Sequence, residues 1–348
     1  ERELELSEEH DGIIELPSGN VGDRFIDWLA ENDPAKVDPV IEIAITPNRP
    51  DALGVRGIAR DLAARGLGTL KQRDVPAVEG QFPCPISVSI DEDTLDQCPV
   101  FYGRVIRGVK NGPSPAWLQD KLRAIGLRPI SFLVDVTNFF TYDRNRPLHV
   151  FDADKVAGNS LRIHRAKGGE TLMGLDDKEY TFSEGMTLIS DAEKVESIAG
   201  VMGGAESGCS MDTVNVFVEA AYFDPVRTAY TGRALKINSD ARYRFERGID
   251  PEWTPYAIEH ATQMILDIVR SCRCGQGAGL FSRLQAGRGA RAVAGGDDHL
   301  GKRAAQDADS TWLPSGRRHG ACPKLAPRCA GRSRSGRGSR ADCVTHQA

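Results

Sequence analysis

A helical pattern of apolar positions between residues 131 and 145 is the clearest structural signal in the sequence. The apolar side chains recur at the i, i+4 and i+7 spacing of one buried helical face: Phe132, Leu133, Val136, Phe139 and Phe140. Ser131 stands where an N-cap belongs, and its hydroxyl can satisfy a free backbone N–H. Asp143, Asn145 and Pro147 follow as residues that end helices. The pattern predicts one rigid helix that packs against a core.

Three polar residues accompany this predicted helix. Thr137 and Asn138 lie away from the apolar stripe, near the last turn that the pattern predicts, and His149 follows the helix. A hydroxyl, an amide and an imidazole at the end of one rigid element form a candidate functional cluster. Considered alone, such a histidine is by default a surface or capping residue, and such an asparagine is a hydrogen-bonding group at a helix end.

Alternating apolar and polar residues predict strands on both sides of the helix. The predicted strands are 37–45, 86–90, 100–106, 161–166, 179–182, 186–190, 196–201 and 214–219. Further helices are expected after Asp51, Pro115 and Asp250. In the first of these helices Arg56 and Arg60 are one turn apart and share an exposed side. Together these elements predict a multidomain α+β protein with mixed α/β character.

The organisation of the chain changes near residue 271. Residues 71–84 are rich in proline and charge, and they are predicted to form a linker. Beyond residue 271 both periodicities are lost and Gly, Arg, Ala and Ser dominate, which predicts a largely disordered tail. The predicted segments are 1–37, 38–78, 79–271 and 272–348. The sequence does not begin with Met, which favours a fragment or a processed product.

Charge is distributed unevenly between these segments. From residue 271 onward there are 14 Lys and Arg and 5 Asp and Glu, a net charge of +9. The preceding part of the chain, 1–270, holds the remaining 44 − 14 = 30 basic and 49 − 5 = 44 acidic side chains, a net charge of −14. An acidic body of this kind binds nucleic acid at local patches rather than across a broad basic face.

Cysteine usage and hydropathy favour a soluble cytoplasmic protein. Cys84, Cys98 and Cys209 are widely separated in this acidic body, as in reduced cytoplasmic proteins. The sequence has no run of about 18 apolar residues, so no membrane association is expected. No metal site is expected in the tail, because paired CxxC spacing is absent among its nominal ligands: His319, Cys322, Cys329 and Cys343.

Five strings of sequence resemble, in this order, the β subunit of bacterial phenylalanyl-tRNA synthetase. They are ITPNRPDALGVRGIARDLAARGLG, TNFFTYDRNRPLHVFDADK, IAGVMGG, VFVEAAYFDP and SDARYRFERGIDP. The resemblance covers residues 1 to about 270 and ends after Met264–Ile268, which a shift of reading frame would explain. It implies that residues 1–37 are the remnant of an OB-fold tRNA-binding domain. Residues 38–78 would form a small helix-bearing domain, and residues 79–271 a mixed-sheet editing module.

The same resemblance implies a function. In this family the editing module hydrolyses tRNA(Phe) wrongly charged with tyrosine, while the synthetic site lies on a separate α subunit. The implied partners are tRNA(Phe) and the α subunit, in a heterotetramer of two α and two β subunits. The whole enzyme uses ATP and Mg²⁺. This chain has no ATP-binding motif, so we expect it to hold no cofactor and to aminoacylate no tRNA alone.

Matching the motifs residue by residue places a candidate site. Glu219 resembles the acceptor for the tyrosine hydroxyl, and Thr137, Asn138 and His149 resemble the groups around the scissile ester and its attacking water. The expected pocket wall consists of residues with small side chains: Ala199, Gly203, Gly204, Ser239 and Ala241. Some relatives carry a Ser-His pair where this chain has Arg242 and Tyr243.

The sequence leaves alternatives to an editing site open, including a body that does not fold stably without the domains that the family carries beyond it. Glu219 could pair with Arg244 or Arg247 and serve the structure alone, as many carboxylates at strand ends do. The chain as a whole could be a non-catalytic scaffold that binds RNA and docks the α subunit. The mainly apolar pocket of a synthetic site rejects an added hydroxyl by only about two orders of magnitude. A separate editing site therefore requires a buried partner that binds the tyrosine hydroxyl.

Overall fold

The computed structural model describes most of the chain up to Cys272 and one short later segment: 15–33, 36–37, 39–71, 75–272 and 284–286, of which 271–272 and 284–286 are described by backbone alone. All described residues belong to one compact unit, Glu1–Arg291. Apart from residues 272 and 284–286, the tail predicted to be disordered lies outside the described residues, as do its four nominal metal ligands.

The described strands form three sheets. In chain order they are β1 (Ser87–Ile90), β2 (Val100–Ile106), β3 (His149–Asp152), β4 (Ser160–Arg165), β5 (Thr171–Met173), β6 (Glu179–Thr181), β7 (Thr187–Ser190), β8 (Val195–Ile198), β9 (Met202–Gly203), β10 (Val216–Tyr222) and β11 (Leu284–Ala286). One sheet has the order β11-β2-β10-β3 and is antiparallel throughout. A second sheet, β1-β4-β7-β8-β9, is mixed, because β1 pairs with β4 in parallel. Strands β5 and β6 form the third sheet.

Seven α-helices complete the described part of the chain. They are α1 (Phe25–Asn32), α2 (Val55–Ala64), α3 (Ala116–Ala124), α4 (Phe132–Arg144), α5 (Pro225–Ala234), α6 (Asp240–Phe245) and α7 (Thr254–Cys272). None of these helices is long and apolar enough to span a membrane. The mixture of helices with antiparallel and mixed sheets confirms the predicted α+β class.

The four-stranded sheet separates two hydrophobic cores, because successive side chains of a strand point to opposite faces. On one face, Val150 of β3 and Val218 of β10 pack with α3, α4 and α7. On the other face, Phe151 and Phe217 pack with residues of the mixed sheet such as Ile163. Each residue of β10 therefore belongs to the helical core or to the core between the sheets according to its position in the strand.

Helix α4 confirms the strongest sequence pattern but changes the place of its polar residues. The helix continues to Arg144, so Thr137 and Asn138 lie near its middle rather than in its last turn. It ends at Asn145, whose left-handed backbone (φ 53°) is one that asparagine tolerates. The Ser131 hydroxyl does not cap the helix and instead accepts a hydrogen bond from Asn111 Nδ2 at 3.1 Å.

The predicted strand over residues 37–45 is wrong for the residues that the structure describes. Residues 39–45 form no strand, and Val40 and Ile41 are 63% and 78% exposed. An alternating segment becomes a strand only where a neighbour supplies the ladder hydrogen bonds, and none of the described strands pairs with it. The alternation in this segment is typical of a strand, but no described strand lies beside it to form a sheet.

Helix α2 lies against the end of α4 through a glycine at its N-terminus. A Cβ atom on Gly54 would lie 2.6 Å from the backbone nitrogen of Asn145 and 3.1 Å from the carbonyl carbon of Arg144. The Asn145 amide also donates a hydrogen bond of 2.7 Å to the Pro50 carbonyl, in the short turn that precedes α2. Close backbone approach at Gly54 therefore fixes where α2 packs.

We predict that Gly54→Ala lowers the free energy of unfolding by about 1–3 kcal/mol, because backbone atoms must move to admit the new methyl group. Denaturant unfolding monitored by circular dichroism measures this difference. Gly112→Ala is the matched control, since nothing lies within 4 Å of the corresponding Cβ position. Equal unfolding midpoints for the two variants would contradict the packing argument.

Candidate active site

An acid and an imidazole lie side by side on the four-stranded sheet. Strands β10 and β3 are antiparallel, and Glu219 is directly opposite His149 in their register. On the other side of Glu219, strand β2 presents Gly103. Directly opposed side chains have Cβ atoms roughly 4.5–5.5 Å apart, so the carboxyl and imidazole groups are neighbours. Both lie on the face that carries Phe151 and Phe217.

Each of the two groups has a buried polar atom that makes no hydrogen bond. Glu219 is only 5% exposed, and its Oε2 is sealed from solvent without a hydrogen-bond partner. His149 is half-buried as a residue, but its Nε2 is equally sealed and equally unpartnered. Most buried polar atoms in proteins are hydrogen-bonded, so two orphans in register are a structural anomaly that a ligand would resolve.

Burial keeps both groups uncharged near neutral pH. Removal from water raises the pKa of Glu219 to about 8 and lowers the pKa of His149 to about 4. At pH 7 the carboxyl is mainly protonated and can donate or accept a hydrogen bond. The neutral imidazole can offer Nε2 as a donor or an acceptor according to its tautomer. The pair is equipped to hold polar groups of a ligand rather than to form a charged centre.

The imidazole is confined between an aromatic ring and a glycine. His149 meets Phe151 edge-to-face, with ring centroids 4.4 Å apart and an interplanar angle of 88°. A side chain on Gly203 would overlap the imidazole ring. Gly204 is equally restricted, since its Cβ would lie 2.7 Å from a methyl carbon of Leu172. The two glycines of the predicted pocket wall are therefore required by packing against their neighbours.

The remaining predicted wall residues belong to the core between the sheets or support the loop beside it. Ala199 is 3% exposed in that core, and Ala241 packs against it. Ser239 caps α6 by accepting from the backbone nitrogen of Arg242, and its hydroxyl donates to the Val201 carbonyl at 2.6 Å. The Ser239 hydroxyl thus ties α6 to the turn between β8 and β9.

Thr137 and Asn138 are not brought into the same contacts. The Thr137 hydroxyl donates to the Val134 carbonyl of its own helix at 2.7 Å. Helix α4 packs on the face of the sheet opposite to that of Glu219. No hydrogen bond or ring contact among the described residues joins Thr137 or Asn138 to His149 or Glu219. The structure therefore gathers Glu219, His149 and Gly203 and leaves these two outside the cluster.

The structural alternative for Glu219 is not supported. Arg244 pairs with Asp240 at 3.0 Å, and Arg247 pairs with Glu246 at 2.8 Å. Neither arginine forms an ion pair with Glu219. Arg242, which lies in the same helix as Arg244, pairs with Glu246 at 3.0 Å and donates a hydrogen bond to the carbonyl of Ile237. Arg242 therefore serves the structure at a position where some relatives carry a polar pair.

Sequence reasoning missed a second buried acid beside the glycines. Glu196 in β8 is 1% exposed, and its carbonyl accepts a hydrogen bond from the Gly204 nitrogen at 2.8 Å. Burial raises the pKa of Glu196 to about 7. Strand β8 reads Val-Glu-Ser-Ile and is buried at all four positions. A glutamate inside a short strand bounded by apolar residues is the signal that could have identified it.

Nothing in the described ranges has the composition of a metal site, since no group of three His, Cys, Asp or Glu residues could hold a metal ion there. The three described cysteines, Cys84, Cys98 and Cys209, are free thiols.

Comparison with known proteins decides the family. A family model described as the B3/4 domain matches residues 97–270, which is half of the 348-residue chain. The chain belongs to the B3/4 domain family. The matched residues include both strands that present the acid–imidazole pair, and the glycines beside it.

Curated relatives of this B3/4 domain carry the name phenylalanine–tRNA ligase β subunit. The chain is 76% identical over 268 residues to the protein of Ruegeria pomeroyi, covering 77% of this chain and 34% of that protein. It is 60% identical over 270 residues to that of Cereibacter sphaeroides, covering 77% and 33%. These matches confirm the resemblance drawn from the five strings. The chain spans about a third of the length of these relatives.

A solved structure also resembles this chain. It is an N-terminal fragment of the phenylalanyl-tRNA synthetase β subunit from Pyrococcus horikoshii, with 16% sequence identity. The likeness covers 75% of this chain and 73% of the other, with a TM-score of 0.36.

We predict that Glu219→Gln changes how the stability of the B3/4 domain depends on pH. The raised pKa means that the folded state keeps its proton between pH 4.5 and about 8 while the unfolded state loses it. Stability therefore falls as pH rises through this window, with a slope approaching about 1.4 kcal/mol per pH unit for this group. Urea unfolding at a series of pH values measures the slope.

The glutamine variant should lose this contribution, so its stability relative to wild type should increase steadily from pH 5 to pH 8. Glu179→Gln is the control, because Glu179 is an exposed glutamate on β6. Parallel stability curves for wild type and Glu219→Gln across this range would show that Glu219 does not hold its proton in the fold.

Proposed function

We propose that this chain is the part of a phenylalanine–tRNA ligase β subunit that hydrolyses tyrosine wrongly esterified to tRNA(Phe). The observation that carries the proposal is the pair of unpartnered, solvent-sealed atoms, Glu219 Oε2 and His149 Nε2, held opposite each other by strand register. The names of the curated relatives support the tRNA substrate and the ligase assembly.

Glu219 would recognise the feature that distinguishes tyrosine from phenylalanine. Its buried carboxyl can form a hydrogen bond with the phenolic hydroxyl of a tyrosyl group. Phenylalanine would leave Oε2 unpartnered, and a buried polar atom without a partner costs about 1–3 kcal/mol. Selection therefore favours the mischarged ester, which is the discrimination that a second, hydrolytic site has to supply.

His149 would orient the ester or the attacking water. A group with a pKa of about 4 is a weak proton acceptor at neutral pH, so the imidazole is better suited to position a water than to remove its proton. Thr137 and Asn138 are proposed as further groups around the ester. The half-buried amide of Asn138 makes no hydrogen bond to another described residue, so it remains available to a substrate.

The proposed pocket wall is formed where side chains are small or absent. Gly203 borders the imidazole, and Ala199 lies in the core that Phe151 and Phe217 share. Gly204, Ser239 and Ala241 complete the wall in the proposal. Gly103 lies directly opposite Glu219 in the sheet, and the ring of Phe217 occupies the space that its absent side chain leaves.

The α subunit of the whole ligase would supply the synthetic site. We propose a heterotetramer with the α subunit, in which ATP and Mg²⁺ serve the synthetic reaction and this chain holds no cofactor. A cytoplasmic location follows from the same proposal. Aminoacylation by this chain alone is not expected.

A non-catalytic scaffold is the second candidate function, and one observation favours it. A groove of about 840 Å³ between α2 and α4 is bordered by exposed apolar side chains that include Ile41 and Leu67. Exposed apolar surface of this kind is characteristic of contacts with other proteins. A scaffold would bind its partners and leave the mischarged ester intact, so ester hydrolysis separates the two functions.

We predict that the full chain deacylates Tyr-tRNA(Phe) faster than Phe-tRNA(Phe), and that Glu219→Ala reduces the former rate about a hundredfold. His149→Ala should also slow hydrolysis, because the water or ester loses its positioning group. Release of radiolabelled tyrosine from tRNA measures the rates. Glu179→Ala is the matched control, an exposed glutamate outside the cluster.

Circular dichroism of each variant establishes that a loss of rate is not a loss of fold. Wild-type rates in folded Glu219→Ala and His149→Ala would overturn the residue assignments. A folded wild-type chain that binds tRNA but releases no tyrosine would favour the scaffold instead.

A further inference from the structure

A second cavity lies apart from the acid–imidazole pair and is lined by arginines. It has a volume of about 530 Å³, and its lining comes from α2 and the turn before it, the end of α4, and the segment before α7. We call it the arginine cavity after four of its lining residues: Arg56, Arg60, Arg144 and Arg146. Neither Glu219 nor His149 lines it.

Arg146 is the most unusual of the four. It is 1% exposed, and its guanidinium donates to the carbonyls of Ala221 and Asp250 and to the Thr254 hydroxyl. Its Nε is sealed from solvent without a partner. Burial lowers the pKa of Arg146 to about 10, which leaves it charged at neutral pH. This buried guanidinium forms no ion pair with a described carboxylate, although the Asp250 carboxylate lies near enough to favour its charged form.

The other arginines add positive charge. Arg56 is half-buried and forms no ion pair with another described residue. Arg60, one helical turn further along α2, is shared between Asp51 and Asp61. Arg144 pairs with Asp143, which lies outside the cavity lining.

The acids in the lining do not balance this charge. Asp51 is engaged by Arg49 and Arg60 on the protein side. The Asp250 carboxylate accepts from the Glu252 backbone nitrogen, and only its backbone carbonyl contacts Arg146. The lining therefore holds four arginines and two aspartates, and of these arginines Arg60 and Arg144 are paired with acids. Because the chain carries a net charge of −14 over positions 1–270, a positive cavity here is a local exception.

We propose that the arginine cavity binds the phosphate group of a nucleotide. Planar guanidinium groups match the oxygens of a phosphate, and a cavity lined by several arginines is a common type of binding site for that anion. The cavity is larger than a single phosphate requires, and Trp253 in its lining offers an aromatic surface to a ribose or base. The nucleotide can be a residue of an RNA backbone or a free mononucleotide.

The cavity is built into the fold rather than assembled from loose surface side chains. Asn145, between Arg144 and Arg146, donates to the Pro50 carbonyl and so links the end of α4 to the turn before α2. The close approach of Gly54 to the same residues holds α2 and its arginines in place. The site is therefore preorganised for an anion, independently of whether the chain hydrolyses an ester.

Titration of the full chain with three probes tests the proposal: an RNA acceptor-stem hairpin, AMP and inorganic phosphate. Trp253 lines the cavity, so quenching of tryptophan fluorescence reports occupancy, and Trp253→Phe should remove that signal. We expect Arg56→Ala to weaken binding about tenfold, and to reduce the dependence of log affinity on log salt by about 0.7–0.9 for RNA. Arg123→Ala, an exposed arginine on α3 outside the cavity, is the charge-matched control and should bind as wild type does.

Saturable binding of the hairpin with weak binding of AMP would assign the site to RNA, and the reverse would assign it to a free nucleotide. Glu219→Ala should retain binding, which separates this site from ester hydrolysis. Arg146→Lys keeps the charge but loses the planar fork, so it should also weaken binding in a folded protein. Absence of saturable binding by all three probes would overturn the proposal. Equal affinities for wild type and Arg56→Ala would do the same.

Discussion

The register of β10 between β2 and β3 is the constraint on which the rest of the structure depends. The sheet separates two cores, so a shift of one residue would transfer Glu219 to the helical core and bring Val218 to the site. Phe217 opposes this shift. It packs near Phe101 and Phe151, and its ring occupies the space that the absent side chain of Gly103 leaves in β2.

The same register explains how two polar groups remain buried without charge. Apolar neighbours such as Phe151 and Phe217 surround the pair with a low-dielectric environment that disfavours a carboxylate and an imidazolium alike. The core between the sheets is thus both the support of the site and the source of its chemistry. The helical core behind the sheet contributes rigidity without contributing a polar group to the pair.

The sequence permitted prediction of elements more readily than of contacts. Periodicity identified α4, and the alternation over residues 100–106 matches β2 residue for residue. The alternation over 37–45 failed because a strand needs a neighbour, and local pattern carries no information about one. For the same reason the pairing of Glu219 with His149 across two strands could not be predicted from spacing, because the two residues are distant along the chain. The burial of Arg146 could not be predicted from the sequence either, since a single arginine after a helix is usually solvated.

The glycine beside the imidazole has a consequence for conformational entropy. His149 is bounded by the edge of Phe151 on one side and by the backbone of Gly203 on another. A ring held in this way has few rotamers left, so little side-chain freedom remains to be lost when a ligand arrives. The ordering of the imidazole takes place during folding rather than during binding. Gly203, which has no side chain, thereby limits the conformational freedom of His149 before a ligand binds.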